Sequence, residues 1–277
     1  MAELQYKFTS DIMFKMLFTQ HEALLRDLVA AALCVTPADI KTLMIKNPEI
    51  LPEEIGNKFC RLDLNMDVNG EPVDIEIQVS DEGNFKERSL YYWTRLFSTS
   101  LEAGEDYMLA PRTILISIID FNLFECEEFY SEFAALEKTR HELLTDRMEI
   151  LFFELKKLPD SIDRNDRMQI WLKLISAKTE DDLAAIESME VEEMAQAVNA
   201  YKQISATQKY QELERIRDKA RHDEAQALNN AMRHGEIKGR KKTQEETARR
   251  LLAMGLSIDD IIVATELSRE EIEALKN

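Results

Sequence analysis

Arg61-Leu-Asp-Leu-Asn-Met-Asp-Val68 and Val73-Asp-Ile-Glu-Ile-Gln-Val79 flank the pair Asn69-Gly70. Asn-Gly between alternating apolar residues marks a two-residue β-hairpin, because a type I′ turn needs positive φ at both central positions. Counting outward from the turn sets the register: Val68 faces Glu71, Asp67 faces Pro72, Asn65 faces Asp74, and Asp63 faces Glu76. Leu62, Leu64, Met66 and Val68 then share a face with Val73, Ile75, Ile77 and Val79, the expected core face. Arg61, Asp63, Asn65, Asp67, Asp74, Glu76 and Gln78 take the other. Asp63 and Glu76 fall at a non-hydrogen-bonded pair, where side chains come closest. Two carboxylates so placed repel unless something offsets them, and a divalent cation is one such offset. A polar sheet face satisfied by Arg61, Asn65 and water is the other reading of the same residues.

At 277 residues the chain can hold one large domain or two ordinary ones. A hydrophobic content of 45% supports a real core, and 32% charged residues argue for a soluble surface. The apolar run Thr113–Ile119 is far too short to span a bilayer, and the start of the chain lacks a signal-peptide pattern. No membrane association is expected, and the location expected is cytoplasmic. Cys34, Cys60 and Cys126 lie far apart, which fits reduced, packed thiols. His21, His141, His222 and His234 are equally scattered, which argues against a zinc site, and no glycine-rich run resembles a nucleotide-binding loop.

The net charge of −18 opposes nucleic-acid binding unless the basic residues cluster. They do, in Arg233, Lys238, Arg240, Lys241, Lys242, Arg249 and Arg250. That island reads either as a phosphate-contacting surface or as a solvated helix face.

Apolar spacing predicts a first helix from Asp11 to Leu33, capped by Thr9 or Ser10. A short strand at 42–46, the hairpin, a helix from Phe85 to Ala103 and a doubly buried strand from Arg112 to Ile119 follow. Met148–Leu155 supplies another strand. Strand signals end at Pro159. Residues 160–232 read as helices, including a long charged one from Ser205 to Met232, and 233–277 as a basic segment with short helices. Ser257 with Asp260 and Ser268 with Glu271 mark two helix starts there. The acidic last helix is a poor candidate for reading base edges, so packing or self-association is expected of it.

Asp63 followed by Glu76-Ile77-Gln78 resembles the D…(D/E)-x-K signature of the PD-(D/E)XK nuclease superfamily. Within it the chain is similar to the recombination-promoting nuclease/putative transposase (Rpn-type) family of bacteria. Ser10-Asp11-Ile-Met-Phe-Lys15-Met-Leu-Phe18, Arg88-Ser-Leu-Tyr91-Tyr92, Gly104-Glu-Asp-Tyr107, the strand through Asp120-Phe121 and Gly235-Glu-Ile-Lys238-Gly239 share in that resemblance. It implies an α/β, restriction-endonuclease-like core with a mixed sheet over 1–159, followed by an all-α C-terminal region. It implies Mg²⁺ (or Mn²⁺) held by Asp63, Glu76 and the Ile77 carbonyl, double-stranded DNA as substrate, and a link to recombination or mobile elements. Gln78 stands where the signature has lysine. It can orient a water or phosphate oxygen but carries no charge. Asp11 is either a further site acid or a first-turn acid complementing the helix dipole. The C-terminal helices are the expected route to a homo-oligomer. A catalytically weak or inactive nuclease fold serving as an interaction or regulatory protein is the alternative that Gln78 and the net charge favour.

Overall fold

A computed structural model of the chain describes residues 2–46, 49–50, 60–61, 63–101 and 104–275. Its centre is a six-stranded sheet in the order β1-β4-β5-β6-β8-β7. The strands are β1 (Leu43–Ile45), β4 (Leu64–Val68), β5 (Glu71–Gln78), β6 (Thr113–Ile119), β7 (Tyr130–Phe133) and β8 (Met148–Glu154). β1, β4 and β5 run antiparallel to one another, β5, β6 and β8 run parallel, and β7 returns antiparallel on β8. The sheet is therefore mixed. The short strands β2 (Glu49–Ile50) and β3 (Cys60–Arg61) form a separate ladder, so Arg61 does not continue into β4. Leu62 lies outside the described residues.

The hairpin register is the one counted from the turn: Val68 pairs with Glu71, Asp67 with Pro72 and Asn65 with Asp74. Asn69 and Gly70 have φ of 54° and 88°, as a two-residue turn of this hand requires. Leu64, Met66, Val68, Val73, Ile75 and Ile77 are buried in the main core. Val79 is not: the strand ends at Gln78, and Val79 is 40% exposed.

Helices α1 (Asp11–Gln20) and α2 (Glu22–Ala32) replace the single expected helix. His21, at φ −130° and ψ 78°, interrupts it and supplies the carbonyl that receives the N–H groups of Leu24 and Leu25. Phe14, Leu17 and Phe18 on α1 and Leu24, Leu25 and Leu28 on α2 enter one core with the inner face of the hairpin. Helices α4 (Arg167–Ile175), α5 (Glu180–Glu187) and α6 (Glu192–Ser205) contribute Trp171, Leu172, Leu183, Ala197 and Val198 to that same core. Asp27 joins α2 to α4 from within. Its carboxylate accepts from Trp171 Nε1 at 2.7 Å and from Arg167 Nη2 at 2.5 Å. Asp27→Ala leaves the buried indole N–H without its acceptor, and is expected to cost roughly 2–4 kcal/mol of stability in urea unfolding. Asp27→Asn, which keeps an oxygen for Trp171, should cost less.

On the opposite face of the sheet lies α3 (Phe85–Ser98), packed through Phe85, Tyr92 and Trp93 on Leu115, Ile119, Ile150 and Phe152. Tyr91 and Tyr92 pack, partly buried, against Leu96. Cys34 and Cys126 are free but exposed, not packed as expected, because both fall in loops between elements.

The chain divides into two compact units, Met1–Gln211 and Glu212–Asn277. The division falls inside α7 (Gln208–Ala253), not at 159/160 and 232/233, because α4–α6 share the core of α1 and α2. The charged helix expected to end near Met232 runs on through Gly235 and Gly239 for 46 residues in all, so the basic island is helical. In the second unit, α8 (Ile258–Thr265) and α9 (Arg269–Ala274) close around Ala248, Ile261, Leu267 and Ile272. Ser257 and Ser268 cap them as anticipated. No helix among the described residues is long and apolar enough to cross a membrane.

Candidate active site

β5 places Asp74, Glu76 and Gln78 on the face that α3 covers. A polar, solvated face was the simplest expectation for these residues. Instead Asp74 is 0% and Glu76 7% exposed, with Asn65 and Ser117 buried beside them on β4 and β6. In register, Asn65 pairs with Asp74, and Ser117 with Glu76.

Asp63 sits one residue before β4, where continuing the register from Leu64–Ile75 brings it opposite Glu76. The two acids are joined by a reciprocal exchange. The Asp63 N–H donates to Glu76 Oε1 at 2.9 Å, and the Ile77 N–H donates to Asp63 Oδ2 at 3.0 Å. Each carboxylate thus accepts a backbone donor next to the other, which offsets part of their repulsion. The Lys15 ammonium meets Asp63 Oδ1 at 2.8 Å and offsets more.

Lys15 arrives from α1, whose core residues Met13, Phe14, Leu17 and Phe18 fix the helix and whose N-terminus is capped by Ser10. Asp11 is the first-turn acid of that helix, one turn before Lys15. It is Lys15 that spans to Asp63.

Burial, and then the charge of Asp63, push the Glu76 carboxyl up to about 8. Asp74 is raised strongly as well, first by its complete burial and then by the charge of Glu76. Neither Asp74 oxygen makes a hydrogen bond of normal geometry, although the Glu76 carboxyl is its electrostatic neighbour. A buried carboxyl left in that state is costly when ionised.

Gln78 ends β5 half-buried, its Nε2 donating to the Ser80 carbonyl at 2.9 Å. Its amide is tied into the following turn, and it brings no charge. The N–H and C=O of one strand residue point the same way, alternating along the strand. Gln78 turns its carbonyl toward the β6 side, where the Asp120 N–H donates to it. The Ile77 carbonyl therefore points with its N–H, toward Asp63.

Asp63, Glu76 and the Ile77 carbonyl form an all-oxygen donor set, the chemistry that suits a hard divalent cation. Among the described residues no group of three or more His, Cys, Asp or Glu is gathered to hold an ion. Two carboxylates and a carbonyl are what the site offers.

The model of the PD-(D/E)XK nuclease family transposases matches residues 8–231. The chain belongs to that family. No curated protein and no solved structure matches it. The PD-(D/E)XK match takes in α1, the hairpin, α3 and all six strands of the main sheet, and it ends before the basic island of α7. Two residues that lie beside the Asp63–Glu76 pair escaped sequence reasoning. Asp74 was legible as a same-face neighbour of Glu76 at i−2, but its burial under α3 was not. Lys15 lay within the quoted Asp11–Phe18 run, and its position one turn after Asp11 was the available signal.

Proposed function

We propose that this protein is a metal-dependent endonuclease that hydrolyses phosphodiester bonds in double-stranded DNA, with a cytoplasmic role linked to recombination or mobile elements. The observation that supports this reading most is the reciprocal Asp63–Glu76 arrangement, in which each carboxylate accepts a backbone N–H beside the other. Mg²⁺ or Mn²⁺ bound there would polarise a phosphate oxygen and lower the pKa of an attacking water. The chain's own residues do the rest. Asp63 and Glu76 would hold the cation; each is positioned by a backbone N–H, and Asp63 would give up its Lys15 ammonium in exchange. α3 excludes bulk water from the Asp74–Glu76 side and strengthens every charge interaction within. Gln78 can orient a water through its side-chain carbonyl, and its Nε2, anchored to Ser80 through one N–H, keeps a second N–H for a phosphate oxygen.

The rival reading, a weak or inactive nuclease fold kept as an interaction partner, draws on Gln78 and on the Lys15 ammonium that already occupies Asp63 Oδ1. A thermal-shift titration and a plasmid nicking assay separate the two. Mn²⁺ or Mg²⁺ is expected to raise the melting temperature, by an amount equivalent to roughly 2.7 kcal/mol at a hundredfold excess over the dissociation constant. Supercoiled DNA should be nicked with metal and spared with EDTA. A metal-induced rise in melting temperature without any nicking would favour the rival, and no rise at all would sink the metal site.

For the DNA contact, the basic island of α7 is in part committed elsewhere. Arg240 pairs with Glu266, Lys241 meets Glu271 at 3.1 Å, and Lys242 lies 4.0 Å from Glu246. Lys238 and Arg249, eleven residues apart on one helix face and both exposed, are the cations of the island that this face offers to phosphate. We assign assembly, if the chain self-associates, to the C-terminal helices.

A further inference from the structure

Gln78 withholds the positive charge that the signature places two residues after the second acid, and the described site supplies one from elsewhere. Lys15 projects from α1, a helix immobilised by four buried side chains, and its ammonium lies 2.8 Å from Asp63 Oδ1. We infer that Lys15 takes over the electrostatic task of the absent signature lysine and contacts the phosphate that Asp63 and Glu76 bring to the site. The inference rests on the endonuclease reading and names a residue for it.

The chemistry follows from competition for one oxygen. In the metal-free site the ammonium neutralises Asp63. Asp63 can give that oxygen to a divalent cation only by releasing the ammonium, since two cations repel at one acceptor. Lys15 has a flexible four-carbon stem on a fixed backbone, so its charge remains beside the site. The nearest new anion is then a phosphate oxygen of the substrate. An ammonium that is already paired before loading is thus delivered where negative charge develops on the phosphate, without a long search. Gln78, anchored to Ser80, offers only its dipole at the same stage.

A purely structural Lys15 would balance the acids and nothing more. The two roles part company under charge relocation. The full-length protein is compared with Lys15→Met, Lys15→Gln and the double variant Lys15→Met/Gln78→Lys, each checked for folding by circular dichroism. Mn²⁺ affinity is read by electron paramagnetic resonance, duplex affinity in non-cleaving Ca²⁺ by anisotropy, and cleavage by single turnover at saturating Mn²⁺. Lys15→Met should bind Mn²⁺ at least as tightly as the native chain, because its competitor is gone. It should bind duplex more weakly in Ca²⁺, and its cleavage should fall by about 10²-fold or more, the usual cost of removing a transition-state charge contact. Lys15→Gln should behave alike. The double variant should recover cleavage to within about tenfold of the native chain, a restored charge contact being worth about 10²-fold. Native cleavage in both single variants, or no recovery in the double variant, overturns the assignment and leaves the endonuclease reading standing. If the native chain neither binds Mn²⁺ nor cleaves, and Asp63→Ala is indistinguishable from it, the endonuclease reading falls and takes this inference with it.

Discussion

Asp63→Ala is expected to abolish metal-dependent cleavage, and Glu76→Gln to do the same, but the two should move stability in opposite directions. Asp63 accepts the Ile77 N–H and pairs with Lys15, so alanine strips a backbone donor of its partner and frees a half-buried ammonium. That loss should cost about 1–3 kcal/mol in chemical unfolding. Glu76 is a carboxyl that burial and the charge of Asp63 make difficult to ionise. Glutamine keeps an acceptor for the Asp63 N–H while removing the charge, so the metal-free variant should unfold at a higher temperature than the native chain at pH 8. Removing a metal ligand that positions and polarises the substrate should drop cleavage by at least about 10²-fold, and the Mn²⁺-induced thermal shift should vanish in both. Native-level cleavage in both purified variants would show that the site lies elsewhere. Equal destabilisation by both would show that Glu76 is not the strained member of the pair.

The second large effect is a loss of stability as the pH of the metal-free protein rises. Glu76 titrates near 4.5 in an unfolded chain and at about 8 when folded. Between those values the folded state holds a proton that the unfolded state has released, so the slope of unfolding free energy with pH is negative. The stabilisation is whole below about pH 4.5 and gone as pH passes 8, at about 1.4 kcal/mol for each unit of separation. Asp74, raised by burial and by the charge of Glu76, pulls the same way. Asp182 works oppositely: backbone donors at its helix start lower it, and what it contributes is lost in acid. Melting temperature should therefore peak in mildly acidic solution and decline toward pH 8. Asp74→Asn should flatten the alkaline limb and raise the melting temperature at pH 8. Adding Mn²⁺ at pH 8 should restore the native chain and release protons into weakly buffered solution. A melting temperature that climbs from pH 5 to pH 8 without metal would contradict the buried carboxyl pair.

The hairpin was readable from sequence because a two-residue turn leaves no freedom in register. Once Asn69 and Gly70 are assigned, Asp63 can only face Glu76. The rest of the site depended on what the third dimension adds. Asp74 and Glu76 alternate correctly for an outward face, and only the packing of α3 over the sheet makes that face an interior one. Lys15 meets Asp63 across 48 positions of chain, beyond the reach of local patterning. The break at His21 was hidden because Leu25 and Leu28 continue the helical phase of Phe14 and Phe18. β7 lacked a strand signal, since edge residues such as Glu132 and Phe133 face solvent and need not alternate. α7 persists through Gly235 and Gly239, beyond the end expected near Met232, because isolated glycines only weaken a helix. The PD-(D/E)XK resemblance supplied what periodicity could not, namely which of several acids to watch.

The exchange between Asp63 and Glu76 has a consequence for how this hairpin can change over evolutionary time. Fourteen positions separate the donor Ile77 from its acceptor Asp63, and the turn lies between them. The turn is thus the zero mark of a ruler, and the chemistry is read off by counting. One residue inserted or deleted there would reverse the parity of one strand and bring an aliphatic neighbour of Asp63 opposite Glu76. Substitutions can drift along both arms. Length cannot, except in matched pairs, and the hairpin is in that sense a frame-dependent message written in backbone.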